Sequence, residues 1–237
     1  MAGSTKRSKV FSSFLKLVLG VILLVLILLM VDIPTLVDAI LRIDPKFLAL
    51  SVCTYLILNL VLSFRLYRSL KALGYGLSFG ETFWAHLFGM LWSNVTPGRV
   101  GYVASTQVLH KKSGVPVLGS LSCIGVIESL ELIVKAVGAL SGLALVIVAA
   151  ASPLVAQLGV IGIVIALFMS VTYLILCWTD SKTMNRLVER FPVYGKKLME
   201  LVKEFKSASK ALKARSTFII GISVVGWLLR GVEWTFI

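Results

Sequence analysis

Glu128, Glu131 and Lys135 are ionisable residues inside an otherwise apolar stretch, GVPVLGSLSCIGVIESLELIVKAVGALSGLALVIVAA (114–150). At 100° per residue the three, with Gly138 and Gly142, fall within a helical sector of about 80°. An acidic side chain at the bilayer centre costs about 2.5–3.5 kcal/mol on insertion scales, so such a face must look into protein or water. Glu131 and Lys135 stand i, i+4 with the acid first, the favourable order for an ion pair. Two chemistries fit: a structural ion pair that joins helices, or a polar lining for a lipid headgroup or proton path. Arg230 and Glu233, spaced i, i+3 in the last apolar stretch, are natural partners for the same interior.

A second constellation is SNVTPGRVGY (93–102), where Asn94 precedes a turn built on Pro97, Gly98, Arg99 and Gly101. Proline removes a backbone donor and suits a helix end. The glycines tolerate positive φ and let a bulky group approach the backbone amides. Arg99 carries a planar fork that matches a phosphate bidentately. A broken helix at membrane depth is tolerated only inside protein or beside a water-filled cavity, and such half-helices build binding sites in transporters. The plainer reading is an interfacial turn with a snorkelling arginine.

The elements that position these residues follow from composition. The 237 residues are 58% hydrophobic and 15% charged, with a mean hydropathy of +0.95. A soluble domain is nearer 45–50% apolar and about 25% charged. Stretches of 18 or more nearly uncharged apolar residues read as transmembrane helices. Candidate spans are 14–31, 47–64, 117–150, 158–178 and 217–237, in one integral membrane domain covering 1–237. The expected fold is all-α: a polytopic transmembrane helix bundle with a re-entrant helix pair and a basic amphipathic cytoplasmic segment. The N-terminal KRSK and the long run after it, with no small-residue cleavage site, read as a retained anchor.

Charge asymmetry orients the spans. Lys6, Arg7, Lys9 and Lys16 place the N-terminus in the cytoplasm, and Arg65, Arg68 and Lys71 mark a return to it. ASPLVAQ (151–157) is uncharged, whereas 179–216 carries ten Lys/Arg against four Asp/Glu. The first is therefore external and the second cytoplasmic. Segment 79–109 must then begin and end inside. Its apolar core, Phe83–Val95, is about 13 residues and rises roughly 20 Å against a hydrocarbon core of about 30 Å, which suits a re-entrant pair. The alternative is one thin span, with 117–150 broken into a hairpin. In 179–216, apolar residues at helical spacing beside lysines fit either a helix lying on anionic inner-leaflet lipids or a connector packed on the bundle.

The net charge of +13 belongs to this membrane topology, and no nucleic-acid site is expected. Cys53, Cys123 and Cys177 are widely spaced in apolar runs and read as small buried hydrophobes. His86 and His110 are isolated, and no metal-ligand spacing occurs. Neither a metal nor another cofactor is expected.

The run from Ser93 to Leu132 resembles the signature region of the lysylphosphatidylglycerol synthase transmembrane-region family, the flippase-like domain family. Pro97, Gly98, Arg99 and Gly101 match its P-G-R-x-G turn, Gly114-Val115-Pro116 its basic connection, and Glu128 its intramembrane glutamate. The layout around Trp227 and Glu233 is also similar, so the resemblance covers nearly the whole chain. Two departures stand out. Ser129 and Leu132 occupy positions where the family often carries Arg and an acid, with Glu131 as a substitute. Members also usually continue for further spans, so the chain reads as a shortened homologue or a fragment.

The resemblance implies a non-enzymatic lipid translocase in the cell membrane, multi-pass, handling an anionic phospholipid or a polyprenyl-phosphate-linked lipid. Its partners would be lipid phosphate headgroups, and a homo-oligomer is compatible with it. The expected substrate-binding residues are Asn94, Pro97, Gly98, Arg99, Gly101, Glu128, Glu131, Lys135, Arg230 and Glu233; no catalytic residue is expected. The rivals are a membrane glycosyltransferase, with Asp32, Asp38 and Asp44 in an outer loop, and a non-catalytic assembly partner.

Overall fold

The computed structural model describes residues 41–96, 101–148, 153–178 and 205–236, with isolated positions before residue 41. The span expected over 14–31, most of 179–216, and Pro97, Gly98 and Arg99 lie outside the described residues. Met1–Leu50 and Ser51–Ile237 form two compact units; the bundle described here is the second. The described residues are helical, with no strand among them.

Helix α1, Pro45–Ala72, starts where Asp44 Oδ1 accepts from the Lys46 N–H at 2.9 Å, with proline at the first helical position, where no donor is needed. It stops at Gly74, whose φ of 85° places it in the left-handed region. Tyr75 N–H donates to Leu70 O and Gly74 N–H to Lys71 O, the paired bonds of a Schellman motif.

Helix α2, Phe79–Val95, begins with a capping box: Ser78 caps the Glu81 N–H, and Glu81 answers the Ser78 N–H. Helix α3, Ala104–Ser113, ends at Gly114 with φ of 65°. Helix α4, Val117–Val148, follows Pro116 and rises about 48 Å at 1.5 Å per residue. It runs unbroken, which removes the alternative of a hairpin within 117–150. Helices α5, Pro153–Trp178, and α6, Ser216–Trp234, complete the set.

Four of these helices are long and apolar enough to cross a membrane: Pro45–Ala72, Val117–Leu143, Gln157–Ile175 and Ser216–Trp234. They match four of the five expected spans. Within segment 79–109 the described residues hold α2 and the start of α3, packed against each other.

Helix α4 is the central element, in contact with α3, α5 and α6. Its Cys123, Ile124, Val126, Ile127 and Leu130 join Leu66, Leu70, Leu109 and Ile219 in one buried cluster. Outward, Trp84, Leu91, Phe168, Met169 and Trp234 are exposed. Apolar surface this extensive is foreign to a soluble monomer and natural to lipid.

Of the two readings of 179–216, the described end follows the packed connector. Residues 205–213 are helical, with Leu212 buried. Trp178 Nε1 donates to Ser209 O at 3.0 Å, and Ser122 Oγ donates to Phe205 O at 2.8 Å.

Candidate functional site

The site begins with a polar stripe on α1. Ser51, Thr54, Asn59, Ser63, Arg65 and Ser69 are all buried, on a helix whose other faces are apolar. Ser63 and Ser69 return their hydroxyl protons to the carbonyls of Asn59 and Arg65 one turn earlier, so they add no unsatisfied donor. Arg65 is the exception, since a guanidinium brings five N–H donors that its own helix cannot absorb.

Arg65 is only 4% exposed. Its Nη1 donates to Ser223 Oγ on α6 at 2.6 Å, and its Nη2 to Glu131 Oε2 on α4 at 2.5 Å. The other Glu131 oxygen, Oε1, holds Lys135 Nζ at 2.5 Å. One carboxylate is thus shared by two cations, and three helices are tied together inside the bundle. Breaking such a pair by removing one partner costs about 3–5 kcal/mol, because it leaves a buried charge uncompensated. Arg65 Nε has no hydrogen-bond partner, and an unsatisfied buried donor costs about 1–3 kcal/mol.

These groups open onto a cavity of about 240 Å³. Arg65, His86, Ser93, Tyr102, Glu128, Glu131 and Arg230 form its polar lining, and Leu62, Met90 and Ile124 are among its apolar walls. A second hydrogen-bonded chain supports the far wall. Asn59 Nδ2 donates to Tyr55 O at 2.8 Å, which turns its Oδ1 toward His86 Nε2 at 3.3 Å. Nε2 is therefore the donor to Asn59, and Nδ1 shares a hydrogen bond with the Tyr102 hydroxyl at 2.7 Å. The two rings meet edge to face with centroids 5.6 Å apart. His86 is not isolated, as its sequence surroundings suggest; it joins α1, α2 and the start of α3.

The predicted residues divide clearly. Glu128, Glu131 and Arg230 line the cavity, and Lys135 stands behind Glu131 on the side of an apolar groove between α4 and α5. Glu233 is buried at 9% exposure with one oxygen unpartnered, but it does not line this cavity. Asn94 is exposed and also outside the lining.

Gly101 has a different duty from the one its type suggests. It is not among the described glycines with positive φ, which are Gly74 and Gly114. Instead its N–H donates to Thr96 Oγ1 at 2.7 Å while that hydroxyl donates to Trp92 O. A Cβ there would collide with the Trp92 carbonyl and with Thr96. Gly101 closes the turn by close approach, and its neighbour Tyr102 reaches the cavity.

Sequence reading missed Arg65, His86 and Tyr102. Arg65 lies six residues after Asn59 and three before Arg68, so it resembles one more basic residue at a helix end. The signal that distinguishes it is the polar stripe from Ser51 to Ser69, which marks one face of α1 as inward.

No curated protein and no solved structure matches the chain. The family model described as lysylphosphatidylglycerol synthase TM region matches residues 13–237. With four apolar helices of membrane-crossing length around a charged interior, the chain is an integral membrane protein that belongs to the lysylphosphatidylglycerol synthase transmembrane-region family.

Proposed function

We propose that this protein moves an anionic lipid, a phospholipid or a polyprenyl-phosphate-linked lipid, between membrane leaflets without covalent chemistry. The observation that carries the reading is the cavity lined by Arg65, Arg230, Glu128 and Glu131 within a bundle whose outer surface is apolar. Ionisable residues at membrane depth are expensive and mark pathways by default. Cations beside apolar walls suit a lipid headgroup better than a bare ion, because the acyl chains stay in the surrounding hydrocarbon. Arg99 belongs to the same reading, as a headgroup contact. So do a cell-membrane location with a cytoplasmic N-terminus and contact of 179–216 with anionic inner-leaflet lipids.

The glycosyltransferase rival loses support from its own acids. Asp38 pairs with Arg42 at 2.7 Å in an i, i+4 arrangement, and Asp44 caps α1. Both have structural duties that explain them.

The deciding experiment is reconstitution into liposomes with fluorescent phosphatidylglycerol, phosphatidylcholine and a polyprenyl phosphate in separate samples. Faster leaflet transfer of an anionic lipid than of phosphatidylcholine is expected. Sugar transfer from a polyprenyl-phosphate sugar, with no leaflet transfer of any lipid, would replace this reading with the glycosyltransferase.

A further inference from the structure

Charged groups gather around Arg65: Lys135, Arg230, Glu128 and Glu131 lie on or directly behind the cavity lining, and buried Glu233 stands three residues from Arg230 on α6. Both ring nitrogens of His86 are engaged, one by Asn59 and one by Tyr102.

The hydrogen bonds say where an added anion would go. Nε and Nη2 form one edge of the Arg65 guanidinium, the edge that grips a phosphate or carboxylate with two parallel bonds. Here the edge is half used. Glu131 touches Nη2 through Oε2 alone, its Oε1 being drawn to Lys135, and Nε stands unpartnered in a residue that is 4% exposed. The opposite side of the fork is secured by Ser223, so the guanidinium is held in place whatever occupies the free edge.

We propose that Arg65 takes a phosphate ester on its Nε–Nη2 edge in exchange for Glu131, and that Lys135 keeps the released carboxylate paired. An incoming phosphate makes two bonds where Glu131 makes one. Glu131 is not orphaned, because Lys135 sits one turn along the same helix and already holds its other oxygen. When the phosphate leaves, Glu131 returns to Arg65. The exchange offers a way for the site to bind an anion without holding it irreversibly. It rests on reading the cavity as a headgroup site, and it assigns to Arg65, Glu131 and Lys135 three separate roles within it.

The test is binding of dioctanoylphosphatidylglycerol to the full chain in a non-ionic detergent, with dioctanoylglycerol as the phosphate-free control and glycerol 3-phosphate as the lipid-free one. The informative variant is the double change Glu131→Gln with Lys135→Gln. It leaves the net charge of the cluster unchanged but removes the carboxylate that competes for Arg65. Exchange predicts binding tighter than wild type by about threefold or more. A purely electrostatic site predicts no change, and a purely structural ion pair predicts weaker binding; either result overturns the exchange.

Glu131→Gln alone should tighten binding more than Glu128→Gln, although both remove one negative charge; equal gains would also overturn it. Arg65→Lys, which has no second donor on a rigid edge, should weaken binding by about threefold or more. Wild-type binding of the lipid without tightening in the double variant defeats the exchange and leaves the functional reading standing. The predicted order with glycerol 3-phosphate but not with the lipid retains the exchange and defeats the lipid reading. Binding of neither phosphate probe to the wild type defeats both.

Discussion

Arg65 shows how much one side chain decides in this bundle. It touches α4 through Glu131 and α6 through Ser223, so its loss disconnects helices as well as a charge. Arg65→Met should lower the thermal melting temperature in detergent sharply, in keeping with the roughly 3–5 kcal/mol cost of stranding a buried partner. Arg65→Met combined with Glu131→Leu should recover much of that loss, because the orphaned carboxylate is gone and an apolar pair packs in its place. Equal melting temperatures for the single and double variants would show that the pair is not what holds the helices. Arg99 makes a separate prediction. If it meets phosphate, Arg99→Lys at normal expression should clearly slow lipid leaflet transfer, since an ammonium lacks the bidentate fork. Wild-type transfer would return Arg99 to a snorkelling anchor.

At the scale of elements, the α2–α3 hairpin carries Tyr102 to the cavity and depends on how tightly its turn closes. The Gly101 N–H is spent on Thr96, and a Cβ there would meet backbone at Trp92. Backbone cannot swing aside as a side-chain tip can. Gly101→Ala should therefore destabilise by about 1–3 kcal/mol, the usual range for overpacking, seen as a lower melting temperature. Gly142→Ala is the matched control. Gly142 lies on α4, where an added Cβ would meet nothing within 4 Å, and alanine is the better helix former. It should leave stability unchanged or slightly raised. Destabilisation by both changes to the same extent would mean that the loss at Gly101 is not specific to the turn.

For the whole molecule, the testable property is which side of the membrane each connection occupies. The uncharged connection 151–157 and the basic stretch 179–216 should lie on opposite sides. Ser152→Cys should react with an impermeant thiol reagent on intact cells, and Ser207→Cys only after lysis, once the native cysteines are replaced. Equal labelling of both on intact cells would overturn the topology, and with it the expectation that α2 and α3 enter and leave on the same side. The described part of the basic stretch already has structural work: Ser209 O accepts from Trp178, and Lys213 lies over the Trp178 ring with Nζ 5.9 Å from its centroid. The described part of the segment is thus anchored to the bundle through Ser209, Leu212 and Lys213.

The sequence by itself determined that this is an all-α membrane protein, where four helices of membrane-crossing length fall, and that 79–109 carries two helices. Those features are local. They follow from the length of apolar runs, from capping residues such as Ser78 and Glu81, and from the breaks at Gly74 and Gly114. The narrow sector of Glu128, Glu131 and Lys135 was legible too, because helical periodicity places side chains on a face without knowledge of any neighbour. What faces that sector was not legible. Arg65 and Glu131 lie 66 positions apart, and Asn59, His86 and Tyr102 come from three different elements. No periodicity links residues on separate helices. Only the packing of α1, α2, α4 and α6 against one another decided that a residue resembling a helix-end charge is the centre of the buried cluster.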